Sequence, residues 1–117
     1  RIEVMGNLGK DPELRYLPNQ TPVSSISLAY TEKWRDKASN EQRERIEWFN
    51  VVLYGKQAET VCRYMKKGDC LWVAGKLQSR RYEHHGVEKT VYEIMAGEIQ
   101  IIHTKNQNET VSGLEYL

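Results

Sequence analysis

Cysteine is scarce: the 117 residues hold two, Cys62 and Cys70. That is too few for a disulfide framework. Without a Cys-x-x-Cys pair or a nearby Cys/His set they do not make a zinc site either, and a reducing compartment is the economical reading. Long apolar runs are also missing. Nothing approaches the roughly 20 residues that a membrane helix needs, and no charged-then-apolar segment opens the chain, so a soluble, cytoplasmic protein with no membrane partner is expected. The chain starts on Arg1 rather than Met, as a trimmed sequence would. An excess of one charge is lacking too. Lys and Arg total 17 against 16 Asp and Glu, a net charge of +1, so a polyanion meets no global attraction and any nucleic-acid site must be a local patch. There are no internal repeats and no low-complexity tracts. The length suits one domain with one core.

Short alternating runs separated by turn chemistry fill the chain. An apolar run from Ile2 ends in Gly6-Asn7-Leu8-Gly9, glycines that suit the bends of a turn or barrel corner. Turns follow at Asp11-Pro12 and Leu17-Pro18-Asn19. Between Pro22 and Thr31, Ile26, Leu28 and Tyr30 alternate with Ser25, Ser27 and Ala29, the period-two pattern of a strand. The charged segment from Lys33 to Arg45 reads as a long solvated loop or the outer part of a hairpin, and Ile46 to Tyr54 as a strand. From Gln57 the period changes. Ala58, Val61, Cys62 and Met65 line one helical face, with a helix end expected at Gly68. Leu71 to Gln78 returns to period two, the charged stretch from Arg80 to Lys89 around Gly86 reads as a hairpin tip, and Thr90 to His103 as a strand bent at Gly97. The order is three strands, a helix, then two strands. That is the order of a five-stranded Greek-key barrel of the oligonucleotide-binding (OB) type, in which closure removes the exposed edges. The barrel is expected over residues 1–103, and a flexible tail over 104–117.

Parity on the third strand points to a surface. Phe49, Val51 and Leu53 share one face and form a natural core set, which sends Trp48, Asn50, Val52 and Tyr54 to the other. A Trp and a Tyr on one solvent face, followed by Lys56, are what a base-stacking platform beside phosphates requires; a bulge would break the parity and bury both rings instead. Two more aromatics sit in basic stretches, Trp34 beside Arg35 and Lys37, and Tyr82 after Arg80 and Arg81. Such cations ordinarily belong to a solvated surface, and Lys66 and Lys67 also suit a helix C-terminus. The interleaved aromatics are what favour nucleic acid.

The segments Gly6-Asn7-Leu8-Gly9-Lys10-Asp11-Pro12-Glu13-Leu14-Arg15-Tyr16, Trp34-Arg35-Asp36-Lys37, Glu47-Trp48-Phe49-Asn50-Val51-Val52-Leu53-Tyr54-Gly55-Lys56 and Tyr64-Met65-Lys66-Lys67-Gly68 closely resemble the bacterial single-stranded DNA-binding protein family. The resemblance runs from about Ile2 to Ile102. It implies an OB barrel, a homotetramer, and single-stranded DNA as the ligand in replication, recombination and repair, in a cytoplasmic, nucleoid-associated setting. Trp34, Trp48, Tyr54 and Tyr82 fall where the family stacks bases, Tyr54 standing where Phe is common and Tyr82 where Trp is common. Arg35, Lys37, Lys56, Lys66, Lys67, Arg80 and Arg81 are the candidate phosphate contacts. Phe49 stands where the family usually carries His near a subunit interface. Trp72, with Cys70 and Ala74 beside it and opposite in parity to Leu71, Val73 and Leu77, adds an apolar patch that suggests association. Dimer and tetramer both stay open. The acidic, apolar-tipped peptide by which family members recruit replication and repair enzymes is not legible in Asn106 to Leu117, where the acids are Glu109 and Glu115; either it was cut away or this member lacks it.

Other classes fit less well. Gly55-Lys56 is followed by Gln57 and lacks the upstream glycine of a phosphate-binding loop. His84 and His85 are neighbours, which places them on opposite faces of a strand, and His103 is distant, so neither a metal nor a cofactor is expected. Cys62 suits the buried helix face. Asn19-Gln20-Thr21 and Asn108-Glu109-Thr110 match the glycosylation pattern by chance, and no enzyme constellation emerges. Two binding rivals stay open: a primosomal OB module that bridges proteins and touches DNA weakly, and an OB barrel that uses Trp34, Trp48 and Tyr82 to hold a protein.

Overall fold

Five long alternating segments pair into a closed ring, as the sequence pattern requires once each has one apolar face to bury. A computed structural model describes residues 1–103; the expected tail over 104–117 lies outside the described residues. The elements are β1 (Ile2–Leu8), β2 (Arg15–Tyr16), β3 (Pro22–Arg35), β4 (Gln42–Tyr54), α1 (Lys56–Tyr64), β5 (Cys70–His84) and β6 (Val87–His103). β1 runs antiparallel to β5 from Ile2↔Gly75 to Asn7↔Cys70, β5 to β6, and β3 to β4. β4 meets β6 in parallel at Val51↔Ile94 and Val52↔Met95. The ring closes where Asn7 and Leu8 of β1 pair with Ala29 and Leu28 of β3. This is the five-stranded OB barrel, with the helix between its third and fourth long strands. The two-residue β2 is an addition, paired to the start of β3.

The core is built from the inward parity set. Leu28, Val51, Leu53, Leu71 and Val73 are fully buried, and Phe49, Ile99 and Ile101 pack partly against them. Ala58, Val61 and Met65 close one end of the barrel with the apolar face of α1. Gly97 has no partner in the β5–β6 register, which passes from Ala74↔Glu98 to Gly75↔Ala96; the bulge bends β6 at the glycine expected to do so.

Three features differ from expectation. The Lys33–Arg45 stretch is the outer part of a hairpin, not a long loop, and of the Arg80–Lys89 stretch only His85 and Gly86 form the tip, the rest being strand. β3 and β4 extend to Arg35 and Gln42, and β5 and β6 to His84 and Val87, so two hairpin arms project beyond the core. Side chains on a two-stranded arm have no core to face, and the sequence there loses its apolar alternation. One consequence concerns Leu77, which shares parity with Leu71 and Val73 but lies 55% exposed where the arm leaves the barrel. The helix ends at Tyr64, not at Gly68. Met65 is already extended, and the Asp69 carboxylate accepts the Lys66 N–H at 2.8 Å, a side-chain alternative to another helical turn. Gly68, at φ 91°, belongs to the turn that follows. His84 and His85 do not lie on opposite faces. His85 sits in the turn with φ 52°, and the two ring centroids are 4.2 Å apart, edge to face.

The turn after α1 is tied to the end of β1. Leu8 N–H donates to Asp69 O at 2.9 Å, Gly68 N–H to Leu8 O at 2.8 Å, and Asn7 Nδ2 to Gly68 O at 2.9 Å. Lys67 N–H donates to Asp11 Oδ1 at 2.8 Å. The Gly6–Asp11 segment and the Lys66–Asp69 turn thus form one hydrogen-bonded unit that fixes where the two lysines emerge.

Candidate functional site

The outer face of β3 and β4 sets small residues against large ones. In register, Ser25 faces Val52, Ser27 faces Asn50, and Ala29 faces Trp48, with Val23 opposite Tyr54 at the end of the row. The low side chains of β3 leave the rings of β4 standing clear. Trp48 is 57% exposed and Tyr54 42%, while Val51 and Leu53 on the other parity are buried; no bulge interrupts the strand, and both aromatics face outward. Trp48 also rests on backbone. A Cβ at Gly9 would come within 2.6 Å of its Cζ3, and Gly9 N–H is held by Ser27 O at 3.0 Å. The second glycine of the Gly6–Gly9 segment is therefore the seat of an indole.

Beyond Tyr54 the face deepens into an open groove of about 480 Å³. Arg15, Ser25, Tyr54, Gln78, Arg80 and Glu93 line it. Arg15 Nη2 donates to Ser25 Oγ at 3.2 Å across the β2–β3 edge. On the opposite wall Arg80 donates from Nε and Nη2 to the two oxygens of Glu93, each at 3.2 Å. Those hydrogen bonds, and then the charge of Glu93, raise the Arg80 pKa above its ordinary value. Tyr82 follows on the same parity of β5, and the Arg80 guanidinium carbon lies 5.8 Å from its ring centroid. An exposed aromatic track therefore runs from Trp48 past Tyr54 to Tyr82, with cations on both walls. Flat rings with open faces beside cations are suited to stacking planar groups that carry negative charge.

The model of the Single-strand binding protein family matches residues 1–102. The chain belongs to that family. Two proteins of Neisseria meningitidis, from serogroups A and B, each named Single-stranded DNA-binding protein, are 42% identical over 110 residues, which is 92% of this chain and 62% of theirs. The chain thus spans about three-fifths of the length of these relatives. A solved structure described as a Plasmodium falciparum SSB complex with ssDNA superposes with a TM-score of 0.74 at 29% identity, covering 86% of this chain and 92% of that one.

In this member of the single-strand binding family the four expected aromatics do not all come together. Trp34 pairs with Arg43 and shares the parity of Ile26 and Leu28, so it occupies the face of the β3–β4 arm opposite to that of Trp48. The expected cations divide as well. Arg35 Nη1 donates to Asn40 O at 2.7 Å, closing the arm's tip, and Arg81 lies 3.7 Å from Glu88 on the other parity of β5 from Tyr82. Lys37 is in the tip, Lys56 opens α1 directly after Tyr54 and Gly55, and Lys66 and Lys67 lie in the turn after the helix. None of these four lysines has a carboxylate partner among the described residues.

Phe49, Cys70 and Trp72 are each half-buried but do not form one cluster. Phe49 faces the core, whereas Trp72 lies on the outside of β5 between Met5 and Gln100 in register. Burial pushes the Cys70 thiol pKa up. As site residues, Arg15, Gly9 and Glu93 were passed over in the sequence reading. Arg15-Tyr16 carries the same cation–aromatic adjacency that marked Arg81-Tyr82, and that signal was available. A carboxylate on the wall of a basic groove has no such signature.

Proposed function

We propose that this chain binds single-stranded DNA, largely without regard to sequence, in replication, recombination and repair. The observation that carries the reading is the set of three exposed rings, Trp48 and Tyr54 on the outer face of β4 and Tyr82 beside Arg80 across the open groove that Tyr54 lines. Every base has a π-face, so stacking adds roughly 1 to 3 kcal/mol per base with little sequence preference. The relatives' name and the DNA-bound structural neighbour support the same ligand. Lys37, Lys56, Lys66 and Lys67 supply phosphate contacts, joined by Arg15 in the groove, and Trp34 meets the strand where it crosses to the other face of the β3–β4 arm. The protein acts by binding and protecting its ligand, in the cytoplasm at the nucleoid, and catalyses nothing.

Paired bases hide their faces, so labelled oligo(dT) is expected to stay bound in the presence of a hundredfold excess of unlabelled duplex of equal length (a ratio of affinities of about 10³ or more). Displacement by an equimolar duplex in the same anisotropy assay would refute the reading. Self-association is part of the proposal: a homo-oligomer, dimer or tetramer, that covers the exposed flank of Trp72 and Met5 and the open edge of Phe49. Sedimentation at micromolar concentration is expected to give a multiple of the chain mass. The monomer mass would count against it.

A further inference from the structure

A carboxylate stands on the wall of a groove that is to carry a polyanion. Glu93 lies opposite Gln78 in the β5–β6 register, and its side chain keeps 15% of its exposure. Both of its oxygens are taken by Arg80 in the parallel two-bond arrangement at 3.2 Å, a geometry that fixes the guanidinium plane as well as its position. The same guanidinium lies beside the Tyr82 ring.

We infer that Arg80 is a positioning residue of the groove and not a phosphate contact: it cancels the charge of Glu93 and, held by that carboxylate, steadies the ring of Tyr82 for stacking. The inference rests on the single-stranded DNA reading above. Were Arg80 to turn toward a phosphate, Glu93 would stay behind as an unpaired, mostly buried anion next to the strand. One anion would replace another and the second would repel the ligand. A charge left without its partner in a partly buried site costs more than an exposed pair contributes. The four unpaired lysines accept a phosphate without leaving an anion behind, and they are the better carriers of the salt-dependent contacts.

The test uses the whole chain with Glu93→Gln, Arg80→Ala, Arg80→Lys and the double variant, and oligo(dT) affinity measured over a range of NaCl concentrations. Each phosphate contact to a single strand adds about 0.7 to the slope of log affinity against log salt. Glu93→Gln frees Arg80 and is expected to steepen the slope by about 0.7. Arg80→Ala is expected to weaken binding several-fold, and adding Glu93→Gln to it to recover most of that loss with the wild-type slope. Arg80→Lys, which keeps the charge and loses the two-bond arrangement, is expected to fall between Arg80→Ala and wild type. The inference is overturned if the double variant is shallower than wild type by about 0.7, if Glu93→Gln leaves the slope unchanged, or if Lys substitutes fully for Arg80. A wild-type chain that bound no oligo(dT) would overturn the DNA reading itself and this inference with it; binding with any of those three slope or affinity patterns overturns this inference alone.

Discussion

Trp48→Ala is expected to weaken oligo(dT) binding roughly 5- to 150-fold, the range that follows from about 1 to 3 kcal/mol per stacked base. The upper part of the range is expected for this ring. Trp48 has the most exposed of the three rings in the track at 57%, and it is held from behind, with the Gly9 backbone beneath it and Ala29 opposite in register. A ring already fixed in place loses little rotamer freedom when a base settles on it, so more of the stacking energy appears as affinity. Removal should leave the fold intact because Trp48 is exposed and is not one of the residues that form the core cluster. Anisotropy titration of labelled oligo(dT) against wild type and variant at one salt concentration measures the effect. Affinity within twofold of wild type would mean that Trp48 is an ordinary surface aromatic.

Gly6→Ala is expected to destabilise the barrel by about 3 kcal/mol, at or beyond the usual upper end for an over-packed core. Gly6 is buried, and a Cβ there would come within 2.5 Å of Ala29 O and 3.0 Å of Ala29 C. These are backbone atoms of β3 at the point where the barrel closes, beside the Asn7↔Ala29 and Leu8↔Leu28 pairs. No flexible side chain can yield, so the clash must be relieved by separating β1 from β3. A urea titration followed by circular dichroism should show the midpoint lowered with little change in slope. A variant within 0.5 kcal/mol of wild type, the ordinary range for a surface substitution, would show that the closure tolerates a side chain.

The barrel was legible because its core strands obey period two. Phe49, Val51 and Leu53 against Trp48 and Tyr54 separate inside from outside without any knowledge of partners. The bend at Gly97 and the placement of the helix were legible for similar local reasons. The length of the arms was not, since strands that extend past the core carry charge on both faces: the segment of Lys33 and Glu44 left loop and hairpin both open, and that of Arg81 and Glu88 read as a tip alone. Gly6 reads as a corner glycine, yet it lies within β1, and what it permits is the approach of another strand. Only the fold reveals that neighbour. The helix end depended on Asp69 folding back onto Lys66, a contact that Gly68 appeared in sequence to make unnecessary. In the site, sequence identified the aromatics but not their sides. The pairing of Trp34 with Arg43 sets it on the far face of its arm, and the partnership of Arg80 with Glu93, thirteen residues apart along the chain, exists through register alone.

The central claim, that bases stack on the outward rings, is tested most directly by titrating the intrinsic tryptophan fluorescence of the wild-type chain with oligo(dT). The chain has three tryptophans, of which Trp34 and Trp48 stand exposed and Trp72 is half-buried on a different side of the barrel. Stacking is expected to quench most of the emission of the first two in a saturable titration, and added NaCl to shift its midpoint to higher concentration. Emission that stays unchanged through a saturating excess of oligo(dT) would contradict the account.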